Sequence, residues 1–365
     1  MGPRLGPLVV TSVLLETDEA GRELATSRPR GAIAKRIGDS KALVAFEDSA
    51  LGEAWARAIA RRAGADPRSP AELLGLLTLD PEAELRAPCP RHHEDLCWGT
   101  AGERFLAAES VVRDCEKDMD KLAARGVLVR RARSVVLCTR RLNDGAARGL
   151  SRFDMDLHAM ERLSLAARDE VGEEVYALCG KVGGFDFYGP RFGPLGGRLH
   201  TTLEEGRARS DYLVPGVGRL AFVRDADDSH LVVGLASLVG KWVRDQLMRR
   251  VVTWHRALHE APEELPDASG YHDPVTTRFV EATALLRKKK RVEDACFERV
   301  SLTSRAAAGL PGPAVFDAPA TSTKPASRKK PAPPSRKASP SPSRPEPLPL
   351  PGLPRPPEAP SRGGA

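Results

Sequence analysis

The sequence of 365 residues lacks the features that mark membrane and secreted proteins. No apolar run approaches the roughly 20 residues that a helix needs to cross a bilayer, so we expect no membrane partner. The N-terminal residues carry no small-residue cleavage site, which argues against a secretory leader. The six cysteines follow no regular pairing pattern. We therefore expect a reduced, cytoplasmic protein without a disulfide framework.

What the chain does have is length and positive charge. It is long enough for one good-sized domain, or two small ones, with a substantial core. Its formal net charge of +7 favours an anionic partner such as nucleic acid. Part of that charge lies in 309–365, which holds more than half of the 31 prolines together with many Ser, Lys and Arg residues. This composition predicts a disordered tail. The tail either binds nucleic acid weakly or is an inert extension.

The most informative stretch runs from Gly218 to Met248. It begins as an apolar strand, passes an acidic turn that contains Asp227 and Asp228, and continues as a helix. Carboxylates before a helix can cap its free N–H groups, so an ordinary capped amphipathic helix is one interpretation. The other is a site that holds a metal ion and a phosphate side by side. The apolar positions recur every three or four residues, at Val232, Leu235, Ala236, Val239, Val243 and Leu247.

The spacing within this stretch resembles that of the type 2 ribonuclease H family (ribonuclease HII). The shared pattern is D-x9-S-x3-K-x2-R-D, here at Asp227, Ser237, Lys241, Arg244 and Asp245. The family cleaves the RNA strand of RNA/DNA hybrids and nicks DNA at single ribonucleotides, using divalent metal. The resemblance implies the same activity, substrates and cofactor, Mg²⁺ or Mn²⁺, for this chain.

Three further segments follow in the family's order. Residues 2–10 fit a P-x-x-G-P motif that leads into a strand, Asp39-Ser40-Lys41 fits D-S-K, and Gly270-Tyr271 fits part of K-G-Y-G-T. The basic residue and second glycine of the last motif are missing here. The alternatives are structural roles: Ser40 would cap a helix, and Tyr271 would anchor a loop.

The resemblance implies a role for each matching residue. Asp227 would be the catalytic residue and metal ligand, with its carboxylate at the edge of a groove near Gly180 and Lys41. Tyr271 would stack on the sugar at the RNA–DNA junction. The residues implied to bind nucleic acid are Ser40, Lys41, Ser237, Lys241, Arg244 and Tyr271.

The chain also departs from the family at its acidic residues. The family's Asp-Glu pair and its strand would lie upstream of Met1, and Gly180 stands where the family has a metal-binding aspartate. Asp18-Glu19 has matching letters but follows a strand, so we interpret it as a polar hairpin turn. Because two dications need several anionic ligands, these departures count against catalysis. A catalytically impaired hybrid-binding protein is the alternative function.

A separate cluster of metal-ligand residue types lies in an insertion at 80–125. Thiols and imidazoles within nine residues are the donor types of a structural zinc site, although their spacing is irregular and the fourth ligand is uncertain. The alternative is a loop with free thiols. The residues are Cys89, His92, His93 and Cys97.

Together these patterns predict the fold class and the domain organisation. We expect an α/β protein with a ribonuclease H-like mixed sheet flanked by helices over 1–300, including a C-terminal helical part at 249–300. The disordered tail at 309–365 completes the chain. The expected protein is a monomer that binds an RNA/DNA hybrid or a ribonucleotide-containing duplex.

Overall fold

A computed structural model describes residues 3–44 and 49–300 of the chain. The predicted tail at 309–365 lies outside these residues, as does the side chain of Lys41. The described part is mixed α/β, with two sheets and helices packed around them. In the described ranges no helix is both long and apolar enough to span a membrane.

The strands form where β-branched and apolar residues are concentrated, and they build two sheets instead of one. The first sheet pairs β1 with β2 antiparallel, with a register shift between Leu14 and Leu15. The second has the order β3-β6-β5-β4, in which only β3 and β6 are parallel. The strands are β1 Leu8–Thr17, β2 Val127–Leu137, β3 Val175–Gly180, β4 Thr201–Glu205, β5 Arg209–Val214 and β6 Gly218–Val223.

The helices lie between the strands and after the last of them. Those before β2 are α1 Glu19–Ala25, α2 Ser40–Leu43, α3 Ala50–Arg62, α4 Pro70–Leu77, α5 Glu82–Arg86, α6 Asp95–Trp98 and α7 Glu109–Ala123. Between β2 and β3 lie α8 Thr139–Ala147 and α9 Arg152–Val171. After β6 come α10 Ala226–Ser229, α11 Leu231–Leu258, α12 Pro274–Ala282, α13 Ala284–Lys289 and α14 Asp294–Phe297.

Local signals account for several helix boundaries. Ser151 and Asp154 form a reciprocal capping box at the start of α9, and Gly172 ends that helix at φ 76°. Asp18 accepts a hydrogen bond from the backbone N–H of Gly21 and caps α1. The prediction of a hairpin turn at Asp18-Glu19 was therefore wrong, because a helix begins there. The capping carboxylate favours a helix at this position instead of a return of the strand.

The core is divided among several clusters of side chains. The largest packs α3, α7 and α11 against β1 and β2 around the buried rings of Trp55 and Trp242. An aromatic cluster that includes Tyr188, Tyr212 and Phe222 lies against the second sheet. A third joins Leu5 to the C-terminal helices. These clusters hold α11 in contact with both ends of the described chain.

Candidate functional site

Helix α11 positions most of the residues that the sequence singled out. Two glycines let its neighbours approach closely. An ideal Cβ at Gly52 of α3 would lie 2.5 Å from the carbonyl oxygen of Leu238, and one at Gly240 would lie 2.8 Å from Thr11 Oγ1. Because no side chain fits at either contact, α11 is fixed against both α3 and β1.

The acidic end of the candidate site lies just before α11. Asp225 adopts a left-handed conformation with φ 52°, and α10 follows at once. Asp227 in α10 is half-buried, and no described side chain or backbone group hydrogen-bonds its carboxylate. Asp228 instead pairs with Arg28 on the surface. Among the residues that the structure describes, Asp227 is thus the carboxylate of this turn without a hydrogen-bond partner.

The backbone places this turn beside the segment that contains Ser40. An ideal Cβ at Gly234 would lie 2.8 Å from the carbonyl oxygen of Asp227 and 3.2 Å from the Cα atom of Gly38. One turn further along α11, Ser237 Oγ donates a hydrogen bond of 2.9 Å to Ser40 Oγ. The structure therefore brings together two of the predicted segments that are almost 200 residues apart in sequence.

Gly180 ends β3 close to the same turn. It pairs with Val223, and α10 lies against β3. An ideal Cβ at Gly180 would meet no described atom within 4 Å, so the position faces open space. The family's metal-binding aspartate has no equivalent at Gly180. The nearby Asp186 does not replace it as a free carboxylate, because Lys181 Nζ donates to its Oδ1 at 2.8 Å.

The basic end of the site lies three turns along α11. Lys241 Nζ donates to Asp245 Oδ2 at 2.6 Å, and Arg244 Nη1 donates to Asp245 Oδ1 at 3.3 Å. Asp245 is fully buried, and this burial raises the pKa of its carboxyl although Lys241 opposes the shift. Lys241 and Arg244, the two side chains predicted to bind phosphate, therefore already pair with one buried carboxylate.

Tyr271 lies over one of these cations. The guanidinium carbon of Arg244 is 4.3 Å from the centre of the Tyr271 ring, and the ring is 47% exposed. Arg244 also donates to the carbonyl oxygen of Ser269 at 2.8 Å. Cation–π contact and this hydrogen bond hold the tyrosine ring at the surface with one face covered by Arg244.

Residues near the start of the described chain contact the loop that contains Tyr271. The backbone N–H groups of Arg4 and Leu5 both donate to the carbonyl oxygen of Gly270, at 2.8 and 2.9 Å. Gly270 has φ 82°, and an ideal Cβ there would lie 2.8 Å from the carbonyl oxygen of Leu5. The P-x-x-G-P and G-Y segments are thus in direct contact, which spacing along the sequence does not reveal.

Sequence reasoning missed Arg299, which is 6% exposed and donates to the carbonyl oxygen of Gly6 at 2.9 Å. Burial, together with the nearby charges of Arg244 and Arg152, lowers its pKa to about 9. Its Nη2 and the Nε of Arg244 are buried donors without a hydrogen-bond partner in the described structure. Nothing in the pattern around Arg299 marks it as functional. We call Arg244, Tyr271 and Arg299 the Tyr271 surface.

The residues present do not fit a divalent metal. In the described ranges no three Asp, Glu, His or Cys side chains come together in a way that could hold an ion. Asp227 is one carboxylate beside the open position at Gly180. A single carboxylate does not neutralise two dications, so we derive no metal-dependent step from these residues.

The cysteines and histidines of the insertion also make other contacts. Trp98 Nε1 donates to Cys89 Sγ at 3.1 Å, and the rings of His92 and His93 share a hydrogen bond of 2.9 Å. Burial raises the pKa of Cys89 to about 11 and that of Cys97 well above its usual range. Both are free thiols. Zinc binding here stays a prediction without support from the geometry.

Comparison with known proteins does not assign the chain to a family. No family model matches it, and no match was found among curated proteins or solved structures. The class that the structure itself defines is a mixed α/β protein, in which the exposed Tyr271 ring contacts the buried guanidinium of Arg244.

Proposed function

We propose that this chain is a ribonuclease HII-like protein that binds an RNA/DNA hybrid or a ribonucleotide-containing duplex at the Tyr271 surface. The observation that carries the proposal is the exposed Tyr271 ring held over Arg244, with free buried donors on Arg244 and Arg299. An aromatic ring can stack on a nucleotide, and arginine donors match phosphate oxygens. The ring is exposed, whereas the two arginine donors are buried.

The charge balance supports an anionic ligand. Lys241 and Arg244 share the single carboxylate of Asp245, and Arg299 lies near Arg244. The two donor atoms are inaccessible to solvent, so they donate to a bound phosphate only after the side chains of Arg244 and Arg299 move. Such charge-assisted hydrogen bonds are about twice as strong as neutral ones.

The contacts among the matching segments also support the proposal. The resemblance implies that the P-x-x-G-P, D-S-K and G-Y segments act at one site with the helix that contains Lys241. The structure has Gly270 bound to the backbone of Arg4 and Leu5, and Ser40 bound to Ser237. A ribonuclease H-like arrangement of the sheets is part of the same proposal.

Metal-dependent cleavage at ribonucleotides is the second candidate function. Asp227 favours it, because its half-exposed carboxylate has no described partner and lies at the turn after β6. Cleavage would need further carboxylates from outside the described residues. The residues described therefore support binding better than catalysis.

The binding proposal is tested with the full chain and two fluorescein-labelled duplexes of the same sequence, one all DNA and one with a single ribonucleotide. We expect tighter binding of the ribonucleotide duplex. Tyr271→Ala should weaken binding about tenfold, since stacking contributes about 1–3 kcal/mol per base. His272→Ala is the matched control, because His272 is the exposed neighbour. Equal affinity for both duplexes, or equal loss in both variants, would contradict the proposal.

A nicking assay on the same ribonucleotide duplex, with added Mn²⁺, separates the two candidates. Nicking that disappears in Asp227→Asn would establish the second function. Undiminished binding without nicking, in both the wild type and the variant, would leave the chain as a hybrid-binding protein.

A further inference from the structure

A cavity of about 530 Å³ lies beside helices α8 and α9, and we call it the arginine cavity. In the described structure its lining comes from β2, from α8 to α9 and from the segment after α5, and it includes no residue of the Tyr271 surface. The volume falls within the roughly 300–1,000 Å³ that is usual for small-molecule sites. The proposed function does not use this cavity.

Apolar side chains form one wall of the arginine cavity. Val135 and Leu137 of β2 pack with Ala159 of α9 in one core cluster. Leu150 and Met155 extend this apolar lining. Val135 and Ala159 are almost fully buried, so the wall belongs to the folded core. An apolar group that lies against the wall is removed from water, which stabilises its binding.

Three arginines line the same cavity. Arg141 lies in α8, Arg148 directly follows the last residue of that helix, and Arg162 lies in α9. Positions seven residues apart in a helix lie about two turns apart on one face. Arg141 and Arg148 therefore both lie on the face of α8 that borders the cavity.

Two of these arginines have no carboxylate partner in the described structure. Arg162 pairs with the buried Asp80. Arg141 Nη2 donates to a neutral group, the backbone carbonyl oxygen of Glu84. Arg148 is exposed, and its side chain makes no ion pair or hydrogen bond with the described groups. Both guanidinium groups therefore have donors for an additional acceptor.

The acidic residue of the cavity has a partner of its own. Among the described residues that line the cavity, Asp144 is the carboxylate, and Arg140 Nε donates to its Oδ1 at 3.0 Å. Arg140, which does not line the cavity, also pairs with Glu293. The four arginines and three carboxylates of this group leave an excess of one positive charge. The cavity therefore favours an anion from solution.

We propose that the arginine cavity binds a phosphate monoester with an apolar body. The body lies against β2 and α9, and the phosphate oxygens accept hydrogen bonds from Arg141 and Arg148. A phosphate monoester has three acceptor oxygens, which is enough for two guanidinium groups, whereas a carboxylate has two. Inorganic phosphate leaves the apolar wall uncovered, and an apolar alcohol leaves both guanidinium groups without an anion.

The first test titrates the full chain with naphthyl phosphate by calorimetry and compares this molecule with naphthol and with inorganic phosphate. We expect saturable binding of naphthyl phosphate and at least tenfold weaker binding of the other two. Naphthoate, which has a carboxylate in place of the phosphate, should also bind more weakly. Equal binding of naphthol or naphthoate, or no binding of naphthyl phosphate, would overturn the proposal.

A matched pair of variants locates the binding. Arg148→Gln removes an exposed guanidinium group that lines the cavity and should weaken naphthyl phosphate binding about fivefold. Arg113→Gln removes an exposed guanidinium group of α7 that does not line the cavity, and it should change binding less than twofold. Equal loss in both variants would indicate general charge attraction. Wild-type affinity in Arg148→Gln would refute the location.

Hydrogen exchange on the unaltered chain keeps the test independent of how the variants fold. Naphthyl phosphate should slow amide exchange about threefold in 139–162, which spans α8 and the start of α9, and leave exchange in 270–273 unchanged. An excess of the ribonucleotide duplex should not displace naphthyl phosphate, because we propose that the duplex binds elsewhere. Displacement, or slower exchange confined to 270–273, would place the molecule at the Tyr271 surface and overturn the proposal.

Discussion

Two aspartates near opposite ends of the candidate site have opposite environments. Asp227 is half-exposed and has no partner in the described structure, whereas Asp245 is fully buried and paired with Lys241 and Arg244. Both belong to the same matched pattern in the sequence. The comparison shows that residue type and spacing can identify a position without revealing whether its charge is free to act on a ligand.

The buried carboxylate should be the more important for stability. Asp245→Asn leaves Lys241 and Arg244 without their shared anion, and we expect a loss of roughly 3 kcal/mol in the free energy of unfolding. Asp227→Asn is the matched control and should change it by less than about 0.5 kcal/mol. Urea denaturation of the three proteins measures both values. Equal destabilisation would contradict the comparison.

Glu161 gives a third environment. It is fully buried, and in the described part of the chain its hydrogen-bond donors are the backbone N–H groups of Gly193 and Leu195. Burial raises its pKa to about 7, although these hydrogen bonds oppose the shift. The folded state therefore holds the proton more tightly than the unfolded state, and this stabilisation is lost as the pH rises from about 4.5 to 7.

The corresponding variant is Glu161→Gln, which cannot ionise. Between pH 5 and pH 8 the free energy of unfolding should fall in both proteins. We expect the fall to be roughly 2 kcal/mol smaller in the variant than in the wild type. Urea denaturation at several pH values gives the two slopes. Parallel curves would show that Glu161 does not titrate in this range.

Two glycines near Asp227 test how tightly its turn is held. Gly234→Ala places a Cβ only 2.8 Å from the carbonyl oxygen of Asp227, and we expect a loss of about 1–2 kcal/mol from the forced shift. Gly180→Ala adds the same methyl group in open space and should change stability by less than about 0.5 kcal/mol. Thermal melts would show whether the two effects differ in this order.

The smallest expected effect is that of removing the tail. The removal tests whether the preference for a ribonucleotide duplex comes from the folded part of the chain, which includes Arg244. Removing 310–365 should weaken binding a few-fold at low salt and flatten the dependence of affinity on salt, since fewer cations contact phosphates. The preference for a ribonucleotide duplex should remain. Its loss would place recognition in the tail instead of the Tyr271 surface.

Much of the secondary structure follows from local pattern. The apolar strand predicted at the start of 218–248 is β6, and the helix predicted after the acidic turn is α11. These predictions succeeded because periodicity acts over a few residues. The single mixed sheet was only partly confirmed, because the strands form two sheets, one of two strands and one of four.

The sequence alone determined the mixed α/β class and the order of the segments around α11, because each depends on neighbouring residues. Tertiary structure alone decided that Lys241 and Arg244 share Asp245, that Arg299 lies near Arg244, and that in the described residues β1 pairs with β2 and β3 with β6. Charge pairing and strand pairing join residues far apart in the chain. Their energies depend on burial and distance, which no spacing along the sequence specifies.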